Sequence, residues 1–434
     1  MSDFGIGIIG LILLFVLIFM RMPIAFALTV DGIIGLWFFQ GAGAALNVLG
    51  RVPFATMNTY VWTVIPLFVF MGYVALYSGL AEEFYEGIRK WVGHYRGGLA
   101  AAVILGNTGF GACTGDMISA AVTFTAISLP EMRKYKYADS LTLGSVVAGS
   151  VLAILIPPSL IFIMYGALTG TSIGKLFLAG VIPGIILAVL YLIVIQILCQ
   201  IDPQMGPRGP KTNLKDKIFA STGMWTLILV FGFIIGGIFL GLFTPTEAGG
   251  GGAFLVLIIG LIRKKLSWKG FQSSLFQSGM TISMVAFLLI GCMIFNKFLV
   301  IAGVPNIIAW LISGITQSPS LTLLIIAVAI LIMGCFLDAM SILLIMTPIL
   351  HPVVTGLGID SIHFGVLMAI VIATGALTPP FGVVVYAVKG AAADVPLFTI
   401  FRSIYPFTAV ILLIVILVIF FPQISLYLPG MIAN

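Results

Sequence analysis

The chain has 434 residues, of which 61% are apolar and only 8% charged, with a formal net charge of +6. A soluble domain carries about 25% charged residues, so this composition excludes a soluble globular protein, and a disordered chain needs lower hydrophobicity and more charge. The apolar runs are long and unbroken, unlike the alternating segments of a membrane β-barrel, which leaves a polytopic all-α membrane protein.

The first apolar run, 4–20, follows Asp3 and has no basic segment before it, so it reads as a retained helix rather than a cleaved signal peptide. Spans are predicted at 24–40 and 60–80. A long apolar segment, 98–130, is then interrupted by Gly106, Gly109, Gly111 and Gly115, and spans follow at 140–168 and 176–200. The second half gives spans at 220–243, 246–262 and 276–300, an interrupted segment at 320–350 broken at Gly334, and spans at 364–388 and 397–421. Segments of about 31 residues are too long for one crossing at 1.5 Å per residue. They suit two half-helices. Each also centres on an aspartate, which is costly in lipid unless it lines a polar cavity. Both segments are therefore expected to be re-entrant hairpins, the competing reading being one long kinked helix.

The two halves match when the sequence is shifted by 222 residues. Cys113 falls on Cys335, Asp116 on Asp338, Ser119 on Ser341, Thr125 on Thr347 and Pro130 on Pro352, while Pro157 and Pro158 fall on Pro379 and Pro380. The predicted repeats are 1–210, with scaffold helices 4–80, hairpin 98–130, broken helix 140–168 and helix 176–200, and 211–434, with scaffold helices 220–300, hairpin 320–350, broken helix 364–388 and helix 397–421. Five crossings and one hairpin per repeat make the second copy inverted. Charge agrees with this: the loop after the first hairpin holds Arg133, Lys134 and Lys136, whereas its counterpart 353–362 holds no basic residue. Basic clusters at 89–96, 133–136, 208–217 and 263–269 read as cytoplasmic loops and topological anchors, which puts both termini outside. Inverted repeats with broken helices are the pattern of secondary transporters.

Enzyme chemistry finds little support. Cys113, Cys199, Cys292 and Cys335 form no CxxC, and His94, His351 and His363 are scattered. The nearest approach to a phosphate-binding loop, at Gly170–Lys175, is one residue short and lacks the Ser/Thr after the lysine. No nucleic-acid partner is indicated.

The sharpest local signals are AILIPPS at 153–159 and GALTPPF at 375–381, each inside an apolar run. Proline removes a backbone donor and clashes with the preceding turn, so the helix opens and its freed carbonyls need partners. A plain kink is the bland reading. Two such sites at equivalent positions point instead to hard-cation sites, with Na⁺ held by carbonyls of the opened segment and of a hairpin tip. The first would use Gly111, Ala112, Ala153, Ile156 and Ser159, and the second Gly334, Gly375, Thr378 and Phe381. Half-helix N-termini at the same place favour an anion, with Thr114, Asp116, Ser119, Asp338 and Ser341 as candidate substrate contacts. The aspartates could cap half-helices, tune cation affinity or couple protons. Glu247, in TPTEAGGGGA at 244–253, reads as a helix-start residue whose glycine run packs closely.

The chain resembles the large membrane subunit of TRAP transporters, the tripartite ATP-independent periplasmic transporters. The resemblance covers nearly the whole chain and rests on PLFVFMG at 66–72, LPEM at 129–132, LIPPS at 155–159, GVIPG at 180–184, TPTEAG at 244–249, GCFLDAMSILLIMTPIL at 334–350 and GALTPPFG at 375–382. It implies an elevator-type, Na⁺-coupled importer of the ion-transporter fold in the bacterial inner membrane, moving a small organic anion such as a carboxylate or sulfonate. It also implies a small four-helix membrane subunit and a periplasmic substrate-binding protein as partners. The first tip departs from the family's Ser-Gly-Ser-like run and reads CTGD at 113–116. The rival readings are a stand-alone sodium/dicarboxylate symporter of the same superfamily and an ion channel.

Overall fold

The computed structural model describes residues 3–316 and 318–431; the outermost ends of both predicted repeats, and so the predicted placement of the termini, lie outside the described residues. All the regular elements described are helical. In chain order they are α1 (Asp3–Phe19), α2 (Ile24–Met57), α3 (Val64–Tyr77), α4 (Leu80–Val92), α5 (Gly98–Thr114), α6 (Met117–Lys134), α7 (Asp139–Leu155), α8 (Leu160–Thr169), α9 (Ile173–Ile201) and α10 (Leu214–Phe239). The chain continues through α11 (Pro245–Ile262), α12 (Trp268–Ile301), α13 (Val304–Ile315), α14 (Pro319–Gly334), α15 (Ala339–Gly356), α16 (Ser361–Leu377), α17 (Val383–Ala391), α18 (Leu397–Phe420) and α19 (Gln423–Gly430). Among the described residues, nine helical stretches are long and apolar enough to cross a membrane. The protein is a multi-pass all-α membrane protein.

Element boundaries carry the sequence offset. Helices α6 and α15 start and end 222 residues apart, and so do α7 and α16. Both interrupted segments turn back at an aspartate, α5 into α6 and α14 into α15. Both Pro-Pro segments separate two helices, α7 from α8 and α16 from α17, and both Pro-Pro bonds are cis.

Four elements differ from the expectation, the eight-residue α19, beyond the last predicted span, among them. Residues 42–57 continue α2 past a break at Gly41 (φ 80°), where the sequence predicted only 24–40. Helices α4 and α13 fall in stretches the sequence reading left unassigned. At 13 and 12 residues they are about 20 Å long or less, short of the roughly 30 Å hydrocarbon core. Thus Arg89 and Lys90, read as part of a loop cluster, occupy the last turn of α4. The reason is local. Leu80, Ala81, Phe84, Tyr85 and Ile88 bury one face, and Glu86 pairs with Arg89 at i,i+3 on the other. The Arg89 guanidinium holds the Glu86 carboxyl below its usual range.

Two groups of helices result. In one, α2 lies along α12, while α3 packs on α11 and α12, and α10 packs on α4 and α11. A Cβ on Gly32 would stand 2.9 Å from the Phe295 Cα, so the α2 and α12 backbones touch there. Thr244 and Glu247 form a reciprocal capping box that starts α11, as the sequence suggested. Its glycine run lies against α3, a Cβ on Gly249 falling 3.1 Å from Phe68. In the other group, α5, α6, α9 and α18 surround α7, whose residues 141–155 are all buried, and α14, α15 and α18 pack on α16, buried throughout 363–377.

Ion pairs link basic segments through α4, Arg89 of that helix meeting Glu131, beside Arg133, at 3.2 Å. Arg263 pairs with Glu83 at 2.5 Å, and Arg133 bridges Asp139 at 2.7 Å and Asp394 at 2.6 Å. The Arg133 guanidinium keeps the Asp394 carboxyl below the ordinary carboxylate range. Other contacts gather elsewhere: the Tyr165 hydroxyl donates to the Ser361 carbonyl at 2.8 Å, and Thr171 meets Ser361 at 2.6 Å.

Gly32→Val forces the α2 and α12 backbones apart and is expected to cost about 1–3 kcal/mol, lowering the melting temperature of the detergent-solubilised protein. Gly43→Ala, where a Cβ meets nothing within 4 Å, is expected to keep or slightly raise it.

Candidate functional site

Both hairpin tips are closed by their aspartates. The extended backbone of Asp116 presents its carboxylate to the open N-terminus of α6, and Oδ2 accepts the Ser119 N–H at 2.7 Å. Asp338 does the same for α15, Oδ2 accepting from the N–H groups of Met340 and Ser341, both at 3.1 Å, while the Ser341 hydroxyl donates to Oδ1. Of the three roles open at the sequence level, helix capping is the one these bonds display. Such a cap stabilises a helix by about 1 kcal/mol.

The first hairpin tip is sewn to the break between α7 and α8. The Leu160 N–H donates to the Gly115 carbonyl at 3.3 Å. Gly115 adopts φ 62°, and a Cβ there would lie 2.8 Å from the Pro158 carbonyl oxygen. A Cβ on Gly111 would lie 2.6 Å from the Ala153 Cα, so α5 and α7 touch through backbone. Ala112 is buried in the same turn, and Ser159, fully buried, caps α8 with its hydroxyl 3.5 Å from the Phe162 N–H. Of this predicted set the structure thus brings Gly111, Ala153 and Ser159 to the tip. The Ile156 side chain faces Gly184 of α9, and its predicted part is that of its carbonyl at the opened segment.

The second set closes similarly. A Cβ on Gly334 would fall 2.7 Å from the Gly375 Cα. Thr378 donates its N–H to the Gly375 carbonyl at 3.0 Å and its hydroxyl to the Thr374 carbonyl at 2.7 Å. Phe381 is half exposed and packs against Phe336 of the second hairpin's tip, ring centres 5.7 Å apart.

The tips meet. A cavity of about 60 Å³ is lined by residues from the first turns of α6, α8, α15 and α17 together, Met117, Ile161, Met340 and Val384 among them. Asp116 and Asp338 stand at its edge. Each helix N-terminus acts as about half a positive charge, so four of them roughly offset two carboxylates. A larger cavity of about 260 Å³ runs from the tips to α3 and α12, and it takes in Thr114, Asp116, Ser119 and Asp338. Ser341 lines a neighbouring cavity with Arg21. Four of the five predicted substrate contacts therefore share one space.

Some polar groups escaped the sequence reading. The Tyr73 hydroxyl and Thr281 Oγ1, 2.9 Å apart, form the scaffold wall of the larger cavity. Nothing in their spacing marks them, since α3 and α12 meet only in the fold. Asn107, one turn before Gly111, is fully buried: its Nδ2 donates to the Val103 carbonyl at 3.3 Å and its Oδ1 has no partner among the described residues. A lone amide in an apolar helix was its only signal. No group of three or more His, Cys, Asp or Glu that could hold a metal occurs among the described residues.

Comparison with known proteins places these features in context. A family model, that of the Tripartite ATP-independent periplasmic transporter, DctM component, matches residues 11–424. The chain is 33% identical over 379 residues to the C4-dicarboxylate TRAP transporter large permease protein DctM of Pseudomonas aeruginosa, covering 87% of this chain and 88% of the relative. It is 30% identical over 414 residues to the sialic acid TRAP transporter large permease protein SiaM of Vibrio cholerae, covering 95% and 96%. Among solved structures, the YdaH transporter of Alcanivorax borkumensis matches with a TM-score of 0.61 at 12% identity, over 87% of this chain and 89% of that one. The fold is shared with that transporter.

Asp116→Ala and Asp338→Ala each remove a cap and are expected to destabilise the protein by about 0.5–2 kcal/mol in thermal melts. Asp116→Asn keeps an acceptor and is expected to stay near wild-type stability.

Proposed function

The chain belongs to the tripartite ATP-independent periplasmic transporter family, DctM component, and from that we propose that it imports a small organic anion, a carboxylate or sulfonate, driven by Na⁺ and delivered by a periplasmic binding protein. The observation that carries this reading is the charge balance of the cavity between the tips. Four half-helix N-termini draw an anion, but Asp116 and Asp338 already offset them. An anionic substrate therefore enters at low cost only with accompanying cations. The opened segments beside Ser159 and Thr378 suit Na⁺, whose preference is for carbonyl and hydroxyl oxygens. In this reading Gly111, Ala112, Ala153, Ile156 and Ser159 hold one ion and Gly334, Gly375, Thr378 and Phe381 the other.

The driving force is adequate. One Na⁺ entering down a tenfold gradient and 100 mV supplies about 1.4 plus 2.3 kcal/mol. Two supply about 7 kcal/mol, less about 2.3 for each negative charge carried inward. The chain's C4-dicarboxylate and sialic acid relatives are permeases for organic anions, which supports that substrate class.

The separation into two helix groups supports an elevator motion, with α5–α9 and α14–α18 moving against α2, α3, α11 and α12. The proposed partners are a small membrane subunit against the scaffold group and the periplasmic binding protein. The linking of the Arg133 and Arg263 segments through α4 supports a cytoplasmic location for that side of the protein in the inner membrane, with both termini on the far side.

Liposomes containing this chain and the small membrane subunit are expected to accumulate substrate only when the loaded binding protein and an inward Na⁺ gradient are both supplied. Uptake by this chain alone, or at an unchanged rate without Na⁺, overturns the proposal. Gly375→Ala places a methyl 2.6 Å from the Gly334 Cα. It is expected to raise the Na⁺ concentration for half-maximal uptake by about tenfold, the equivalent of mild overpacking.

A further inference from the structure

We propose that a cavity of about 600 Å³ between the end of α4, the end of α9 and the linker that joins the two repeats binds the phosphate of an anionic phospholipid headgroup. His94, Tyr95, Arg96, Gln196, Arg208 and Lys211 line it. Sequence alone kept the 89–96 and 208–217 clusters apart. The fold joins them by three hydrogen bonds: Gly97 N–H to the Gly206 carbonyl at 3.0 Å, Gly209 N–H to the Gly93 carbonyl at 2.9 Å, and Thr212 Oγ1 to the Lys90 carbonyl at 2.9 Å.

Three cations, Arg96, Arg208 and Lys211, gather at the cavity. Arg89, Arg133, Lys134, Arg263 and Lys265 all form ion pairs. Arg96, Arg208 and Lys211 form none among the described residues, which leaves their charge available to an anion from outside the chain. Asp202, near this cavity, keeps its negative charge while its Oδ1 accepts the Gln204 N–H at 3.0 Å, so the three cations still leave the site with a positive excess. His94 Nδ1 is buried without a partner among the described residues, which leaves a further polar atom at the site.

A lipid fits better than a free phosphate because an apolar track ends at the cavity. Ile193, Ile197 and Ile201 follow one another at i,i+4 along α9 and are 47%, 49% and 77% exposed. Trp91 and Tyr95 are exposed close by, the residue types that settle at a membrane–water interface. An acyl chain along the isoleucines sets its phosphate among the three cations. Basic pockets of this kind, at the cytoplasmic edge of spanning helices, hold anionic lipid headgroups.

The test is native mass spectrometry of the purified full chain with phosphatidylglycerol, phosphatidylcholine or inorganic phosphate as probe. Phosphatidylglycerol is expected to be retained in preference to phosphatidylcholine. Arg96→Gln, Arg208→Gln and Lys211→Gln are each expected to weaken its retention by about fivefold, the effect of one cation near the surface. The double variant Lys264→Gln/Lys269→Gln, in another basic cluster, is expected to retain it fully, as is the charge-preserving Arg96→Lys/Arg208→Lys. Melting curves establish that each variant is folded. Equal retention of both lipids, equal losses in the Lys264/Lys269 variant, or displacement of phosphatidylglycerol by millimolar inorganic phosphate overturns the proposal.

Discussion

In an apolar medium every backbone N–H and C=O must find a partner inside the protein, yet two of the most deeply buried helices here are cut by paired prolines. Much of the structure follows from that conflict. The cuts after Leu155 and Leu377 release carbonyls and expose fresh N-termini where no water reaches freely. A hairpin is brought to each cut, and glycines let the backbones touch: Gly111 on Ala153, Gly334 on Gly375. The hairpins create two more N-termini, and aspartates cap them. A small central cavity with two carboxylates and four helix N-termini around it is thus the by-product of satisfying broken helices.

Much of this was legible in the sequence because the relevant residues are costly ones. Asp116, Asp338 and the two Pro-Pro pairs are expensive in lipid, so their recurrence 222 residues apart has few explanations. The hairpins, the breaks and the Glu247 cap follow from local rules. The missing parts depend on tertiary structure. Helix α4 is too short and too polar to register as a span, and only its buried face against α5 and α10 shows its use. Tyr73 and Thr281 are ordinary residues until their helices meet. The Ile156 side chain turns toward Gly184 because the backbone there is extended (φ −90°, ψ 117°), a detail that a run of apolar letters does not encode.

The two halves share a plan but not a chemistry. Ser159 is fully buried and caps a helix, whereas its counterpart Phe381 is half exposed and packs on the Phe336 ring of its own half's hairpin. Ala153 stands where the other half has Gly375. If cations occupy both places as proposed, such unequal surroundings would give them unequal affinities.

The scaffold departs from symmetry as well. Helix α12 runs unbroken for 34 residues, while the matching stretch of the first half is divided between the end of α2 and α3 at Asn58 and Thr59. An unbroken rod of that length is about 51 Å long in a hydrocarbon layer of about 30 Å. It must lean steeply or stand well clear of the bilayer. The frame therefore has one stiff strut and one jointed one, so its two sides differ in stiffness, and any load placed on it would bend it first at the joint at Asn58.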